Sequence, residues 1–464
     1  MPATDNRPRV ALTMGDVAGV GPEVIARAWS DPTLHRLCQP LVIGDPDVLR
    51  KAITLVSSPA GVVTIDRPEL AEPSTRVVPC LTPASTRDLG PLIEVPAGTV
   101  DRRAGRAARD FLIAAIDLAL AGRIDAITTL PLTKESLRLA GIPHPGHTEI
   151  LAERCKASDH AMMLYLAADP ALAGNDRESE RRPGLGVVHV TLHVALRQVF
   201  ALLSTDAVAS KIRLADRAMR PLTGGRQPRV AVSSLNPHAG ENGLFGDEEI
   251  RIIRPAVEAM QAGGFDVHGP FPNDTLYHQA LGGAFDAVVA MYHDQGHIAL
   301  KTAGFRRAVN VTLGLPIVRT SVAHGTAFDI AWQGIADPSS LIEAVRVAAH
   351  LVAGRGSIGG SPLARDPTLR QRDSQRDLGQ ELLESVRQMK EGQEGQVHCL
   401  ETPSVVTARL RMKLSQQEFA ALLGVSVRTL QDWEQGRRKP TGAAKTLIAI
   451  AENHPEVLRE LVSR

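Results

Sequence analysis

The segment Met291-Tyr292-His293-Asp294-Gln295-Gly296-His297, followed by Lys301, Asn310 and Arg319, gathers unusual chemistry into one short stretch. A neutral imidazole suits a divalent transition metal. A lysine whose pKa is lowered by burial and nearby cations can move a proton, and an arginine can fork onto a carboxylate or phosphate. Two upstream segments add to it: Leu235-Asn236-Pro237-His238-Ala239-Gly240-Glu241-Asn242-Gly243 and Gly146-His147-Thr148-Glu149. Runs of His, Asp, Asn and Gly make poor core and poor helix, so they read as loops that hold polar groups toward a ligand. A lone histidine is more often structural or on the surface. His193, His238 and His293 are harder to set aside, because each follows a short apolar run.

Those apolar runs are the elements that must position the loops. Val10–Met14, Leu41–Ile43, Ala126–Leu130, Val187–Val190, Val230–Ser233 and Ala287–Met291 read as buried strands. Helical patterns such as Ala104–Ala121 and Glu249–Ala262 lie between them. This alternation implies βαβ units and a mostly parallel sheet, with ligands outside the C-terminal strand ends. Thr13-Met14-Gly15-Asp16-Val17-Ala18-Gly19-Val20-Gly21-Pro22-Glu23 turns from the first strand into a helix. Its glycines permit close backbone approach, but it is neither a dinucleotide fingerprint nor a Walker loop.

The chain has 464 residues, enough for two or three domains. Its 52 basic and 51 acidic residues nearly cancel, which argues against a protein that coats nucleic acid along its length. Cys38, Cys80, Cys155 and Cys399 form no CxxC pair, which suits a reducing cytosol and gives no structural zinc signature. No signal peptide and no membrane span is expected, so the sequence reading is a cytoplasmic protein.

Gly354–Asp373 is rich in Gly, Ser, Pro and Arg and reads as a linker, within a boundary drawn at 353–376. A helix is expected over Leu378–Met389. The last unit, 377–464 with a core at 403–453, is all-α. Ser415 can cap one helix and Ser426 the next. Leu430 and Trp433 face inward, and Gly436 and Pro440 end the second helix. Leu414-Ser415-Gln416-Gln417, Ala420, Gly424-Val425 and Trp433-Glu434-Gln435-Gly436 resemble a helix-turn-helix of the Cro/repressor type, as in antitoxins. The resemblance implies that Val427, Arg428 and Gln431 face base edges and that Gln416 reaches DNA from the first helix. Arg437, Arg438 and Lys439 would lie near phosphates. Ten Lys and Arg against seven Asp and Glu over Glu401–Arg464 is a modest basic balance, also compatible with a helical interaction module.

Residues 8–352 resemble the 4-hydroxythreonine-4-phosphate dehydrogenase (PdxA) family. The carriers are the Gly15–Glu23 turn, Pro145-Gly146-His147-Thr148-Glu149, Asn236-Pro237-His238-Ala239-Gly240-Glu241, Met291–Gly296 and Val309-Asn310-Val311-Thr312-Leu313-Gly314-Leu315-Pro316. The resemblance implies an α/β fold of the two-lobed isocitrate/isopropylmalate dehydrogenase-like kind, in a homodimer with its active site at the interface. It implies that His193, His238 and His293 bind one divalent metal (Zn, Mg, Mn or Co), with ligands from both subunits. His147, Thr148, Lys301, Asn310 and Arg319 would bind a phosphorylated substrate, and Lys301 and Asp274 are the catalytic candidates. His324-Gly325-Thr326-Ala327-Phe328-Asp329 resembles the adenosine-binding loop of decarboxylating dehydrogenases, which places NAD at His324, Gly325, Thr326 and Asp329. One departure is Ala323, where the family usually has Asp.

The implied reaction is oxidation of a β-hydroxy acid by NAD, followed by loss of carbon dioxide. Glu241–Glu249, His297 and Phe328–Trp332 resemble the branch associated with 4-phospho-D-threonate or 4-phospho-D-erythronate more than the vitamin-pathway branch. The rival substrate is 4-hydroxythreonine 4-phosphate, of pyridoxal phosphate synthesis. The rival class is a metabolite-sensing DNA-binding regulator.

Overall fold

The structure is a computed structural model. It describes residues 7–144, 146–157, 159–167 and 184–357, together with 405, 408–409, 412, 414, 416–434, 440, 444–445, 447–448 and 451. The chain divides into two compact units, Met1–Ala364 and Arg365–Arg464. The expected helix over Leu378–Met389 and most of the linker lie outside the described residues.

Twelve strands of the first unit form one sheet. They are β1 (Arg9–Thr13), β2 (Gln39–Ile43), β3 (Gly61–Ile65), β4 (Val77–Leu81), β5 (Ala126–Thr129), β6 (Ala161–Leu166), β7 (Leu185–His189), β8 (Val230–Ser233), β9 (Val267–Phe271), β10 (Ala287–Ala290), β11 (Ala308–Leu313) and β12 (Val318–Val322). Their order is β3-β4-β2-β1-β5-β12-β11-β6-β7-β10-β8-β9. The joints β12–β11, β11–β6 and β6–β7 are antiparallel, and the others are parallel. The sheet is therefore mixed: two parallel blocks run in opposite senses, joined through β11 and β6.

That reversal decides which loops meet. The C-terminal ends of β7, β8 and β10 lie at the same end of the sheet as the close of β11 and the start of β12. His193, His238 and His293 follow the first three, and Arg319 stands at the start of β12. The helix His293–Gly304 runs back from the end of β10 to the start of β11, about 18 Å at 1.5 Å per residue. It carries His293 at one end of the sheet and delivers Phe305 to the other.

The central strands β1, β5, β7, β8, β10 and β12 are almost wholly buried, as continuous Val, Ile, Ala and Thr runs require when helices cover both faces. The long helices Arg102–Leu120, Thr205–Leu222 and Ser339–Ser357 belong to this cover. Asp101 and Ser204 cap the first two by accepting from backbone amides. Trp29 and Phe111 are the largest fully buried side chains of the first unit, and the rest of its core is mainly aliphatic.

In the second unit, the helices Gln416–Leu422 and Val427–Glu434 flank a turn at Gly424. Gly424 takes φ +66, a conformation that favours glycine. Ser426 Oγ accepts from Thr429 N, so the expected cap is present. Phe419, Ala420, Leu423, Leu430 and Trp433 form its core with Met412 and Ile448.

Candidate active site

Two zipped loops bring the first histidines together. Val190 N donates to Ala290 O at 2.8 Å, and Thr191 donates to Met291 O through N at 3.2 Å and through Oγ1 at 2.8 Å. The segment after β7 thus lies along the segment after β10, and the rings of His193 and His293 come within 5.8 Å. His297, one turn after His293, stacks on it at 3.9 Å with planes 7° apart. Behind them His297 Nδ1 meets His189 Nε2 at 3.2 Å.

Burial favours the neutral form of His189, His193 and His297. It pushes His189 down to about 3 and His297 to about 4, with neighbouring histidines adding to both shifts. His193 is lowered by burial and then by Lys134. Neutral imidazoles keep the lone pair that a metal needs. His293 Nδ1 lies 2.7 Å from Asp294 Oδ1. An ionised carboxylate only accepts, so Nδ1–H donates and Nε2 is left as the free donor atom. A carboxylate holding the second nitrogen is the usual support of a metal-bound histidine.

His238 is held differently. It sits exposed in a turn after β8 where His238, Ala239, Gly240, Glu241, Asn242 and Gly243 all have positive φ, from 42° to 99°. Buried Glu249 braces the base of this turn. Its carboxylate accepts from Leu235 N at 2.8 Å, Asn236 N at 2.7 Å and Asn236 Nδ2 at 3.0 Å. The ring of His238 faces Phe245 at 6.3 Å. Among the described residues, no three His, Cys, Asp or Glu side chains stand close enough together to hold one ion. The structure therefore brings His193 and His293 together and leaves His238 apart. The pair fits a metal by donor chemistry and spacing, and it lacks a third ligand among the described residues.

Arg319 is buried on β12. Its Nη1 donates to Thr312 Oγ1 at 2.9 Å and its Nη2 to Thr129 Oγ1 at 2.6 Å, while Nε has no partner. Burial alone lowers it to about 9, still charged at neutral pH, and no carboxylate among the described residues pairs with it. His147 opens the helix His147–Arg154, with Thr148 next to it. Burial, then the Arg319 charge, holds the His147 imidazole well below its usual range. Asn310 lies on β11, and its Oδ1 is buried without a partner. A buried cation without a counter-charge, next to neutral donors, is set up for an anion.

Lys301 lies two turns along the helix from His293, on the same face as His297, with Nζ 5.7 Å from the Phe305 ring centroid. Phe305 in turn lines a cavity of about 230 Å³, with Val20, Val24, Ala323, His324, Ala327, Ile330, Ala336, Asp337 and Ser340. His324 is fixed through Ser340 Oγ at 3.0 Å and the Gly325 carbonyl at 2.9 Å. Thr326 O accepts from Val20 N at 3.0 Å, and a Cβ on Gly19 would stand 3.0 Å from Thr326 Cβ. The glycine turn after β1 is thus packed against the His324–Asp329 loop, where Gly325 and Asp329 are exposed. Asp274 is exposed in the first turn of Asn273–Leu281. Its neighbour Asn273 donates to Ser234 O at 2.9 Å, at the base of the His238 loop. In the second unit Val427 and Arg428 are exposed at the start of their helix and Gln416 is half-buried. The Gln431 side chain and residues 435–439, with Arg437, Arg438 and Lys439, lie outside the described residues.

From the sequence, His189 is expected to be a packed neighbour, and nothing singles out Glu249 or Gln295, whose Oε1 accepts from Met291 N and whose Nε2 donates to Ser234 O, each at 2.8 Å. The i, i+4, i+8 spacing of His293, His297 and Lys301 was the available signal for His297. Nothing local marks Glu249, whose partners lie 13 and 14 residues upstream.

The family model described as "Pyridoxal phosphate biosynthetic protein PdxA" matches residues 36–348, and "Helix-turn-helix" matches 407–453. A 4-hydroxythreonine-4-phosphate dehydrogenase of Desulforapulum autotrophicum is 45% identical over 346 residues, covering 75% of this chain and 96% of the relative. A D-threonate 4-phosphate dehydrogenase of Pectobacterium atrosepticum is 43% identical, covering 74% and 98%. The crystal structure of a 4-hydroxythreonine-4-phosphate dehydrogenase from Klebsiella pneumoniae superposes with a TM-score of 0.65 at 42% identity, covering 75% of this chain and 99% of the other. By sequence match and by fold, the chain belongs to the PdxA family.

Proposed function

We propose that this protein is an NAD- and divalent-metal-dependent dehydrogenase that oxidises and decarboxylates a phosphorylated 3-hydroxy acid. The observation that carries the reading is Arg319, a buried guanidinium that no carboxylate among the described residues pairs with, whose charge reaches the neutral imidazole of His147. The preferred substrates are 4-phospho-D-threonate and 4-phospho-D-erythronate, with 4-hydroxythreonine 4-phosphate as the alternative.

In this reading Arg319 binds an anionic group of the substrate, and His147, Thr148 and Asn310 complete its hydrogen bonds. Lys301 takes or relays the hydroxyl proton, and Asp274 is a further proton-handling candidate. His193, His238 and His293 would hold the metal, and the His324–Asp329 loop would hold NAD, with Ala323 offering no carboxylate to its ribose. When bound, the metal supplies Lewis acidity at the hydroxyl and at the new carbonyl, and NAD accepts the hydride.

A second copy of the chain completes the site in this proposal. His238 stands apart from His193 and His293, and apolar side chains lie exposed beside the candidate ligands: Leu196, Phe200 and Leu202 near His193, and Leu244, Phe245 and Ile250 near His238. Such surface suits a permanent partner. The two-lobed, isocitrate dehydrogenase-like division belongs to the same proposal, as do the boundaries 8–352, 353–376 and 377–464.

The helix-turn-helix match, with Val427 and Arg428 exposed, supports DNA binding by the C-terminal unit through Gln416, Val427, Arg428 and Gln431. A dimer would pair two such units, and a metabolite-sensing regulator is the companion reading.

The enzymatic proposal is tested by measuring NADH and carbon dioxide from 4-phospho-D-threonate before and after chelation. One-to-one release, lost with chelator and restored by metal, is expected. Equal turnover of unphosphorylated D-threonate would contradict it.

A further inference from the structure

Three imidazoles form a pillar behind the exposed end of the site. His297 stacks on His293 with centroids 3.9 Å apart and planes 7° from parallel. On its other side, His297 hydrogen-bonds His189 at 3.2 Å, with ring centroids 4.7 Å apart. His189 closes β7 in register with Ala290 of β10, so the base of the pillar is part of the sheet. The fit is close: a Cβ on Gly296 would stand 2.4 Å from His189 Nε2 and 2.5 Å from Val187 Cγ1.

His189 and His297 are both buried. Burying two imidazoles costs solvation that a leucine of similar bulk would not lose. What the pair offers that a hydrocarbon cannot is a flat ring whose rotation is locked by a hydrogen bond. The torsion that turns a histidine ring is broad and roughly two-fold, so an unsupported ring swivels. The His293 ring is gripped twice, at Nδ1 by Asp294 and on its face by His297.

We propose that His297, held by His189, is a positioning residue that fixes the plane of the His293 imidazole and so sets how tightly the site takes a divalent metal. This rests on His293 being a metal ligand, and the test separates the two statements.

Metal-free full-length protein is titrated with cobalt(II), following visible absorption and competition by a chelator. His293→Ala is expected to abolish high-affinity binding. His297→Leu is expected to weaken it about 10- to 100-fold, the range for a lost supporting contact, and to shift the visible bands. His297→Phe, which keeps a flat ring without the hydrogen bond, is expected to recover part of the loss. If His293→Ala abolishes binding while His297→Leu keeps parental affinity and spectrum, the positioning role is overturned and the metal reading stands. If His293→Ala binds cobalt like the parent, both fall. Should His297→Leu not fold, His189→Ala removes the support and leaves the stack. Parental affinity and spectrum in that variant overturn the proposal.

Discussion

Arg319 carries two opposing costs at the residue scale. A buried guanidinium that no carboxylate among the described residues pairs with destabilises the empty protein, yet in the proposed function it would hold an incoming anion strongly because no other charge competes for it. Arg319→Met should therefore raise or preserve the midpoint of thermal unfolding while lowering kcat/KM about 100-fold or more. Paired melting curves and substrate titrations check both halves. The buried histidines give a second prediction. His189 and His297 titrate at about 3 and about 4 when folded, below the roughly 6.5 of an unfolded chain. Below pH 6.5 the unfolded state takes up protons that the folded state refuses, so stability falls as pH drops. Each histidine contributes a slope of about 1.4 kcal/mol per pH unit. His297 exhausts its share near pH 4 and His189 near pH 3. Urea unfolding of the metal-free protein at pH 7, 6 and 5 should show this fall, and His297→Leu should show a shallower one. The types and neighbourhood of His293, Lys301 and Arg319 were legible in the sequence, because they share one short stretch. The partnership of His189 with His297 spans 108 residues and needs the β7–β10 pairing to exist.

The turn from His238 to Gly243 holds the longest run of positive φ among the described residues. Left-handed backbone costs roughly 1–2 kcal/mol for each ordinary side chain, and His238, Ala239, Glu241 and Asn242 all adopt it. Glu249 holds the turn from beneath through three hydrogen bonds. Glu249→Ala strands two backbone amides and should cost about 2–4 kcal/mol, measurable by urea unfolding. Ala239→Gly relieves strain and should stabilise by about 1 kcal/mol. It should also weaken metal binding if the turn must present His238 rigidly. The sequence foretold β1, β2, β5, β7, β8 and β10 to within one or two residues, because central parallel strands are continuous apolar runs. It did not foretell β3, whose exposed edge positions carry valines and threonine without a clean pattern. Nor did it foretell β6 and β11, whose antiparallel pairing turns a parallel sheet into a mixed one. Strand sense is set by connections, which short apolar runs do not encode.

At the scale of the whole molecule, the two units make separable claims. Removal of residues 371–464 should leave turnover and the proposed dimer largely intact, since the candidate site belongs to the first unit. Loss of the dimer in that truncation, read by light scattering, would show that the C-terminal unit holds the subunits together. His238→Ala should abolish turnover while the proposed dimer survives, because His238 is exposed and would be removed as a metal ligand without disturbing the core. The helix-turn-helix was legible because its Ser, Gly and Trp positions are local. The decisive assay of the proposed reaction uses purified protein with added divalent metal and NAD. 4-Phospho-D-threonate, 4-phospho-D-erythronate and 4-hydroxy-L-threonine 4-phosphate are offered side by side while NADH is followed. NADH is expected from the sugar-acid phosphates ahead of the amino compound. No NADH from any of the three, with metal bound, would contradict it.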